Sequence, residues 1–486
     1  MPFTPQSWPP HSRRRSAREV IAALVGRTWQ SWDEPVRTRD EQEPGDPGYA
    51  EQLARARERT GCDESILTGA GTVAVPGSDD RRRVVLIVSE FGFLGGSIGE
   101  AAGRRVVAAL RRATELQLPV LALPASGGTR MQEGTPAFLQ MAAITAAVNA
   151  HRRAGLLYLV YLRDPVTGGV LASWGSLGHA MWAEPGALIG FLGPKVYRAL
   201  LHQDFPAGVQ RAENLHEHGV VDAVVPFDEL PARLARFLQI RNAMADPLAV
   251  ERLPAHRFGR PATAWEAVEI TRDPDRPGLA RLLESVPTAM IVDHGPIRVA
   301  LAQLGDHAVV LVGADAPTQE GGRLIDVDAL GRARRGITLA AELGLPLVTL
   351  IDTPGAELSV RAEQEGLAGE IADCLAELLA VNVPTVSILF GQGAGGAALA
   401  LFPADRVIAA RDAWLAPLPP EGAAALVLGD PGEAAELVGP QRIWAADLLK
   451  QGIVDDLAAG YAQVIGYVVE YLDQRPRPQF ERRPRG

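Results

Sequence analysis

The sequence predicts an α/β protein made of two tandem domains of one fold, related by internal duplication. Three observations predict it. Apolar runs of strand length, such as Val84–Val88 and Val120–Leu123, alternate with longer stretches of helical spacing. Two motifs recur at one offset: "LQLPVLALPASGG" (116–128) matches "LGLPLVTLIDTPG" (343–355), and "DPVTGGVLASW" (164–174) matches "FGQGAGGAALA" (390–400) through its glycine pair, with Gly128 to Gly355 and Gly168 to Gly395 each 227 residues apart. A third pair, "LHEHGVVDAVV" (215–225) and "LLKQGIVDDLA" (448–458), follows at 233. Motifs about 40 residues apart that share an offset mark a duplication, where convergent strand–helix patterning would not hold register.

In chain order, residues 1–48 read as an extension carrying one helix, within "SAREVIAALVGRTW" (16–29). The first domain spans 49–245. Its strand in "RVVLIVSEF" (83–91) echoes "AVVLVGADA" (308–316) of the second. Between the strands, "GEAAGRRVVAALRRATEL" (99–116) and "TPAFLQMAAITAAVNAHRR" (135–153) have helical spacing. Strand, helix, strand in succession implies parallel pairing through right-handed crossovers. The Pro- and charge-rich seam "RNAMADPLAVERLPAHRFGRPAT" (241–263) holds a linker, 246–262. The second domain is 263–472, and 473–486 is a tail.

Composition narrows the function. The net charge of −10 argues against broad nucleic-acid binding. The basic clusters "HSRRRSAR" and "ERRPRG" lie near the ends and are expected to be mobile, solvated tails. Cys62 and Cys374 cannot form a disulfide framework or a zinc knuckle, which points to the reducing cytoplasm. No secretory apolar segment or membrane span is expected. The nine histidines lack zinc-ligand spacing, so a zinc hydrolase is not expected. Ser126 is not in a nucleophile elbow. There is no Walker A lysine; Lys195 and Lys450 are the only lysines, and neither has the Met-Lys-Met context of a biotinyl lysine.

The glycine pairs carry the chemistry. A strand that stops at Gly-Gly before a helix leaves N–H groups pointing outward, where an oxyanion can accept them. Each copy has two such places, Gly127–Gly128 with Gly168–Gly169, and Gly355 with Gly395–Gly396. Tight turns and close packing explain any single pair better, and it is the four repeat-matched places together that favour the donor reading. Pro354 stands opposite Gly127 and has no N–H, so the second site must rely on Gly355 and the 395–397 amides. "GQGAGG" (391–396) with Asp412 also fits a dinucleotide fingerprint, but it lies late in its domain and its repeat partner lacks the pattern.

The residues now match a family. "FLGGSIGEAAGRR" (93–105), "PASGGTRMQEG" (124–134), "RDPVTGGVLASW" (163–174) and "AEPGALIGFLGPKV" (183–196) resemble the β subunit of bacterial acetyl-CoA carboxylase carboxyltransferase. "TAWEAVEITRDPDRP" (263–277), "IDTPGAELSVRAEQEGLAGEIADCLAELL" (351–379), "GQGAGGAALAL" (391–401) and "APLPPEGAAAL" (416–426) are similar to the α subunit. The chain thus resembles β and α fused in that order, over roughly 50–460. The resemblance implies two crotonase/ClpP-like (ββα-superhelix) domains, the first β-like and the second α-like.

It also implies the reaction, in which carboxybiotin on a separate biotin carboxyl carrier protein, charged by a biotin carboxylase, gives its carboxyl to the α-carbon of an acyl-CoA. Acetyl-CoA going to malonyl-CoA is the expected case. By resemblance Gly127 and Gly128 hold the acyl-CoA carbonyl, and Gly395, Gly396 and Ala397 polarise the biotin ureido oxygen. Gly95, Gly96, Arg130, Gly168, Gly169 and Gly355 complete the substrate sites. Arg104, Arg105 or Arg130 could meet CoA phosphates, or form ordinary salt bridges. The family places its site where the first half of one protomer meets the second half of another, so a homo-oligomer follows. Two departures stand out: the β family's four-cysteine zinc ribbon is absent, so no metal is expected, and the α family's "GAYPG" is "GAELS" (355–359). The β and γ subunits of malonate decarboxylase are also similar, so malonyl-thioester decarboxylation is an alternative, as is a specialised paralogue that binds acyl thioesters.

Overall fold

The computed structural model describes residues 14–36, 47–75, 79–241, 256–276, 278–319 and 324–474. The chain forms two compact units, 1–239 and 240–486. In the first, a seven-stranded sheet runs in the order 30–31, 66–74, 81–89, 120–123, 158–162, 180–183, 223–224. The first two pairings are antiparallel and the rest parallel. Val120–Leu123 and Tyr158–Leu162 are buried at every residue. Parallel strands covered on both faces need such unbroken apolar runs. Each fully buried Val or Leu contributes roughly 1.5–3 kcal/mol.

Helices Glu100–Glu115 and Gly134–Arg153 make the crossovers the sequence predicts. In the former, Ala102, Val106, Ala109, Leu110 and Ala113 form the inward stripe. After Tyr158–Leu162 the crossover shrinks to the four-residue helix Gly168–Leu171.

The second unit repeats this plan, in the order 288–292, 297–304, 307–314, 347–353, 385–394, 406–410, 456–458, with 414–416 paired to 385–394. Again two antiparallel pairings lead into parallel ones. The all-parallel pairing implied by strand–helix alternation therefore holds only from the third strand onward. In the second unit the first three strands join through short turns, which close antiparallel pairs; in the first unit helix Pro47–Thr60 lies between the first two strands.

The duplication is visible bond by bond. The isolated bridge Ile98↔Thr129 recurs as Ile325↔Ala356, and Arg130 N donating to Ile98 O recurs as Glu357 N to Ile325 O. Both repeats keep the offset of 227.

The N-terminal stretch is not a mobile tail from Arg14 onward. Ser16 and Glu19 form a capping box on helix Ala17–Leu24. Ala17 N donates to Glu90 Oε2 at 2.8 Å, Arg14 lies over Phe91 and pairs with Asp164, and Arg15 lies over Phe227. Gln30–Ser31 adds a strand to the sheet edge, so this extension is part of the first unit. In the expected linker, 246–255 lies outside the described residues, while Phe258 is buried within the second unit. "ERRPRG" also lies outside them. No helix among the described residues is long and apolar enough to cross a membrane.

Candidate active site

Strand Val120–Leu123 runs into Pro124 and then a turn organised by Ser126. Gly128 N donates to Ser126 Oγ at 3.0 Å, and Ser126 Oγ–H donates back to Gly128 O at 3.3 Å. Side-chain hydroxyls make such local turns readily. Gly128 has φ +110°, which costs a side chain heavily. Gly127 N donates to Gly95 O at 2.9 Å. Thus the expectation that both amides point outward is corrected: each is spent inside the protein. The segment around Gly95 folds back over the turn and takes the first amide, and the Ser126 hydroxyl takes the second.

The second glycine pair behaves differently. Thr167 is extended, and Gly168 at φ +62° turns the chain into helix Gly168–Leu171. Gly168 N donates to Phe191 O at 3.0 Å. Gly169 N and Val170 N, in the first turn, have no acceptor among the described residues. The two glycine loops meet closely. A Cβ placed on Gly128 would sit 3.3 Å from Thr167 O and 3.6 Å from Gly169 N.

The second unit carries the same construction. Gly355 N donates to Thr353 Oγ1 at 3.1 Å, and the hydroxyl's own proton goes to Gln319 Oε1 at 2.7 Å, with Gly355 O 3.0 Å away. Gly355 has φ +138° and Gly395 +68°, matching Gly128 and Gly168. Gly355 N is therefore also spent, and Pro354 supplies no donor. The N–H groups of Gly395, Gly396 and Ala397 open helix Gly395–Leu399 and have no acceptor among the described residues. Sequence reasoning missed Val170. Its side chain carries no signal, but its repeat match to Ala397 did.

Several expected ligand residues are structural. Arg130 is fully buried; its guanidinium pairs with buried Glu64 in two bonds, one of 2.9 Å, and also reaches Glu133 and Ser97 O. Burial pulls its pKa down, but the hydrogen bond and charge of Glu64 outweigh that and hold it above the ordinary value. A guanidinium so committed has nothing left for a CoA phosphate. Arg105 is likewise held by Asp63 and Asp33. Arg104 is exposed and pairs with Glu100. Gly96 packs against the Ala125 carbonyl, leaving no room for a Cβ, while Gly95 offers its carbonyl to Gly127. Asp412 accepts from Gly259 N at 2.7 Å and pairs with Arg276, so it is not available as a ribose acid.

In the altered loop, Ser359 caps helix Val360–Glu365, and Arg361 pairs with Glu357 and Asp326. Leu358 beside it is 91% exposed. Its repeat partner Met131 is 82% exposed, and the next matched pair, Phe191 and Leu418, is 69% and 40% exposed. Each donor cluster thus has an apolar rim at the same positions.

The chain matches two family models: "Carboxyl transferase domain" over residues 43–239 and "Acetyl co-enzyme A carboxylase carboxyltransferase-like" over 254–462. It is 51% identical over 458 residues to the probable biotin-dependent acyl-coenzyme A carboxylase beta3 subunit of Mycobacterium tuberculosis, covering 93% of this chain and 90% of that one. It is 38% identical over 436 residues to the acetyl-coenzyme A carboxylase carboxyl transferase subunits beta/alpha of Saccharopolyspora erythraea, covering 85% and 75%. The fold resembles that of transcarboxylase 12S at a TM-score of 0.71 and 18% identity, covering 97% of this chain and 92% of that one. Both units therefore have the crotonase-like fold.

Proposed function

We propose a function from the premise that this chain belongs to the carboxyltransferase family of the acyl-CoA carboxylases. It is a transferase that moves a carboxyl group from carboxybiotin, borne on a separate carrier protein charged by a biotin carboxylase, to the α-carbon of an acyl-CoA. Acetyl-CoA is the proposed acceptor and malonyl-CoA the product, which places the chain in the cytoplasm at the entry to fatty acid synthesis.

One observation carries this reading: two repeat-matched clusters of unspent main-chain N–H groups, Gly169 with Val170 and Gly395 with Gly396 and Ala397. An acyl thioester becomes nucleophilic at its α-carbon only as charge moves onto its oxygen. Donors preset at that oxygen favour the enolate by about 3–4 kcal/mol each. In this reading Gly169 and Val170 hold the thioester oxygen, while Gly127 and Gly128 form the wall against which it lies. The second cluster suits a ureido oxygen, which accepts and does not donate. Carboxybiotin supplies the activated carboxyl group when bound; Gly395, Gly396 and Ala397 orient it. The repeated apolar rims favour a second copy of the chain as the partner that completes each site, so the working form is a homo-oligomer.

The test combines the purified chain, a biotinylated carrier protein, carboxybiotin-generating enzyme, and acetyl-, propionyl- or longer acyl-CoA. Carboxylated thioester should form only when the carrier is present, fastest with acetyl-CoA. Release of carbon dioxide from a malonyl thioester with no biotinyl protein present would replace this reading with a decarboxylase.

A further inference from the structure

The two units reach the same fold by different means at one place, the strand that leads into each donor helix. In the second unit, Ile351 pairs with Leu389 and Thr353 with Gly393, so one residue, Asp352, faces three, Phe390 to Gln392. Such a break leaves ladder groups without partners. Side chains fill the gap. Asp352 Oδ1 accepts from Gln392 N at 2.8 Å, and Arg276 donates to Phe390 O. Arg276 pairs with Asp352 Oδ2 at 3.4 Å and with Asp412 at 3.1 Å. All three side chains are nine-tenths or more buried.

The first unit has no Arg–Asp pair at the matching place. Its residue matching Gln392 is Pro165, which has no N–H to satisfy, and its residue matching Asp352 is Ala125. There Arg163 N donates to Pro124 O at 3.0 Å, Ser126 N to Pro165 O at 2.6 Å, and Asp164 N, between them, to the buried Glu184 Oε2 at 3.3 Å. Where the N–H exists, a carboxylate is present; where it is absent, a methyl group suffices. The carboxylate therefore answers a specific local demand, three residues before Gly395.

We propose that the Arg276–Asp352 ion pair is the positioning element of the second donor cluster, setting the aim of the Gly395, Gly396 and Ala397 amides by spanning the strand break that precedes them. This rests on the reading of that cluster as the biotin side. A cavity of about 200 Å³ lined by Arg276, Gln319, Asp352, Pro354 and Gln392 lies beside the pair, giving the segment room to move. Gln319 bonds the Asp352 carbonyl and the Thr353 hydroxyl, which in turn holds Gly355, so the same pair adjoins both loops of the site.

The device responds to pH. Burial pushes the Asp352 carboxyl up to about 6, against the opposing pull of Arg276; Asp315 and Asp412 push it the same way as burial. Among the described residues the other charged or titratable neighbours are Arg272 and Asp273 in the same cavity, Arg298, paired with Asp315, Arg411 beside Asp412, the Tyr461 hydroxyl, bonded to Gly278 O, and His256 near Arg276 and Asp412. Protonating Asp352 removes the charge that strengthens both of its bonds, so the donor helix loosens below pH 6.

The test compares the full-length protein with Asp352→Asn, with malonyl-CoA as carboxyl donor and free biotin as acceptor. Wild-type kcat should fall on the acid side with a limb near pH 6. The variant should lose at least ten-fold in kcat at pH 8, lose that limb, keep KM for malonyl-CoA within two-fold, and melt no lower. Hydrogen exchange, corrected for intrinsic rates, should show lost protection at 392–394 in the variant, with 163–167 unchanged. In wild type the same segment should loosen between pH 7.5 and 5.5, a readout that needs no variant. An unchanged limb and kcat, or unfolding of the whole second unit, would overturn the proposal. If wild type transfers nothing to biotin, the functional reading fails, while hydrogen exchange still decides the positioning role.

Discussion

Arg130→Met separates a structural guanidinium from a substrate ligand. In the structure Arg130 and Glu64 are both fully buried. Methionine fills much of the volume but leaves the Glu64 carboxylate without its counter-ion. Removing one partner of a buried pair costs about 3–5 kcal/mol, because the other charge stays desolvated. Five further bonds are lost, to Ser97 O at 2.8 Å, Ser65 Oγ at 3.2 Å, Glu133 at 3.2 Å, Ser97 Oγ at 3.3 Å and the Tyr49 hydroxyl at 3.4 Å. For a unit of this size, each kcal/mol lowers the melting temperature by roughly 2–4 °C, so a fall of about 6–20 °C is expected. A surface arginine awaiting a phosphate would change stability by under about 1 kcal/mol.

The assay is scanning calorimetry, with KM for acetyl-CoA measured 20 °C or so below the lower transition. KM should stay within three-fold of wild type, because no guanidinium N–H is free for CoA. Glu64→Gln added to Arg130→Met should recover part of the loss, since it removes the stranded charge. A variant that melts like wild type but binds acyl-CoA ten-fold more weakly would refute the reasoning and return Arg130 to the substrate site.

Gly128→Val should abolish turnover in a folded protein. At φ +110° the new Cβ would press toward Thr167 O and Gly169 N, blocking the donor edge, and the backbone strain is of order 1–3 kcal/mol; normal turnover would remove Gly128 from the site. Phe191→Glu combined with Leu418→Glu places charge in both apolar rims and should dissociate the oligomer and cut activity more than ten-fold. Sedimentation checks the first, and wild-type assembly in the double variant would show that these rims are not the interface.

Secondary structure and duplication were legible because their causes are local. Apolar periodicity, glycine and proline placement, and a shared offset require no knowledge of distant contacts. The positions of the donor loops followed from the same signals, including the missing N–H at Pro354. The partner of each amide was not legible. Gly127 and Gly95 are far apart in the chain, and nothing in either tripeptide says that one N–H meets the other carbonyl. Charge misled for a related reason: a basic residue beside a glycine loop looks like a phosphate ligand until a carboxylate 66 positions away is seen to hold it.

By itself the amino-acid sequence determined that this chain is a duplicated α/β protein of a carboxyltransferase family with glycine turns at matched places. Only the tertiary structure decided which of those turns keep their N–H groups unspent, that Val170 joins them, and that Asp352 and Arg276 bridge a break the first unit closes without such a pair. The physical reason is that turns arise from neighbours in sequence, whereas hydrogen-bond satisfaction is settled by whichever acceptor folding brings within 3 Å or so.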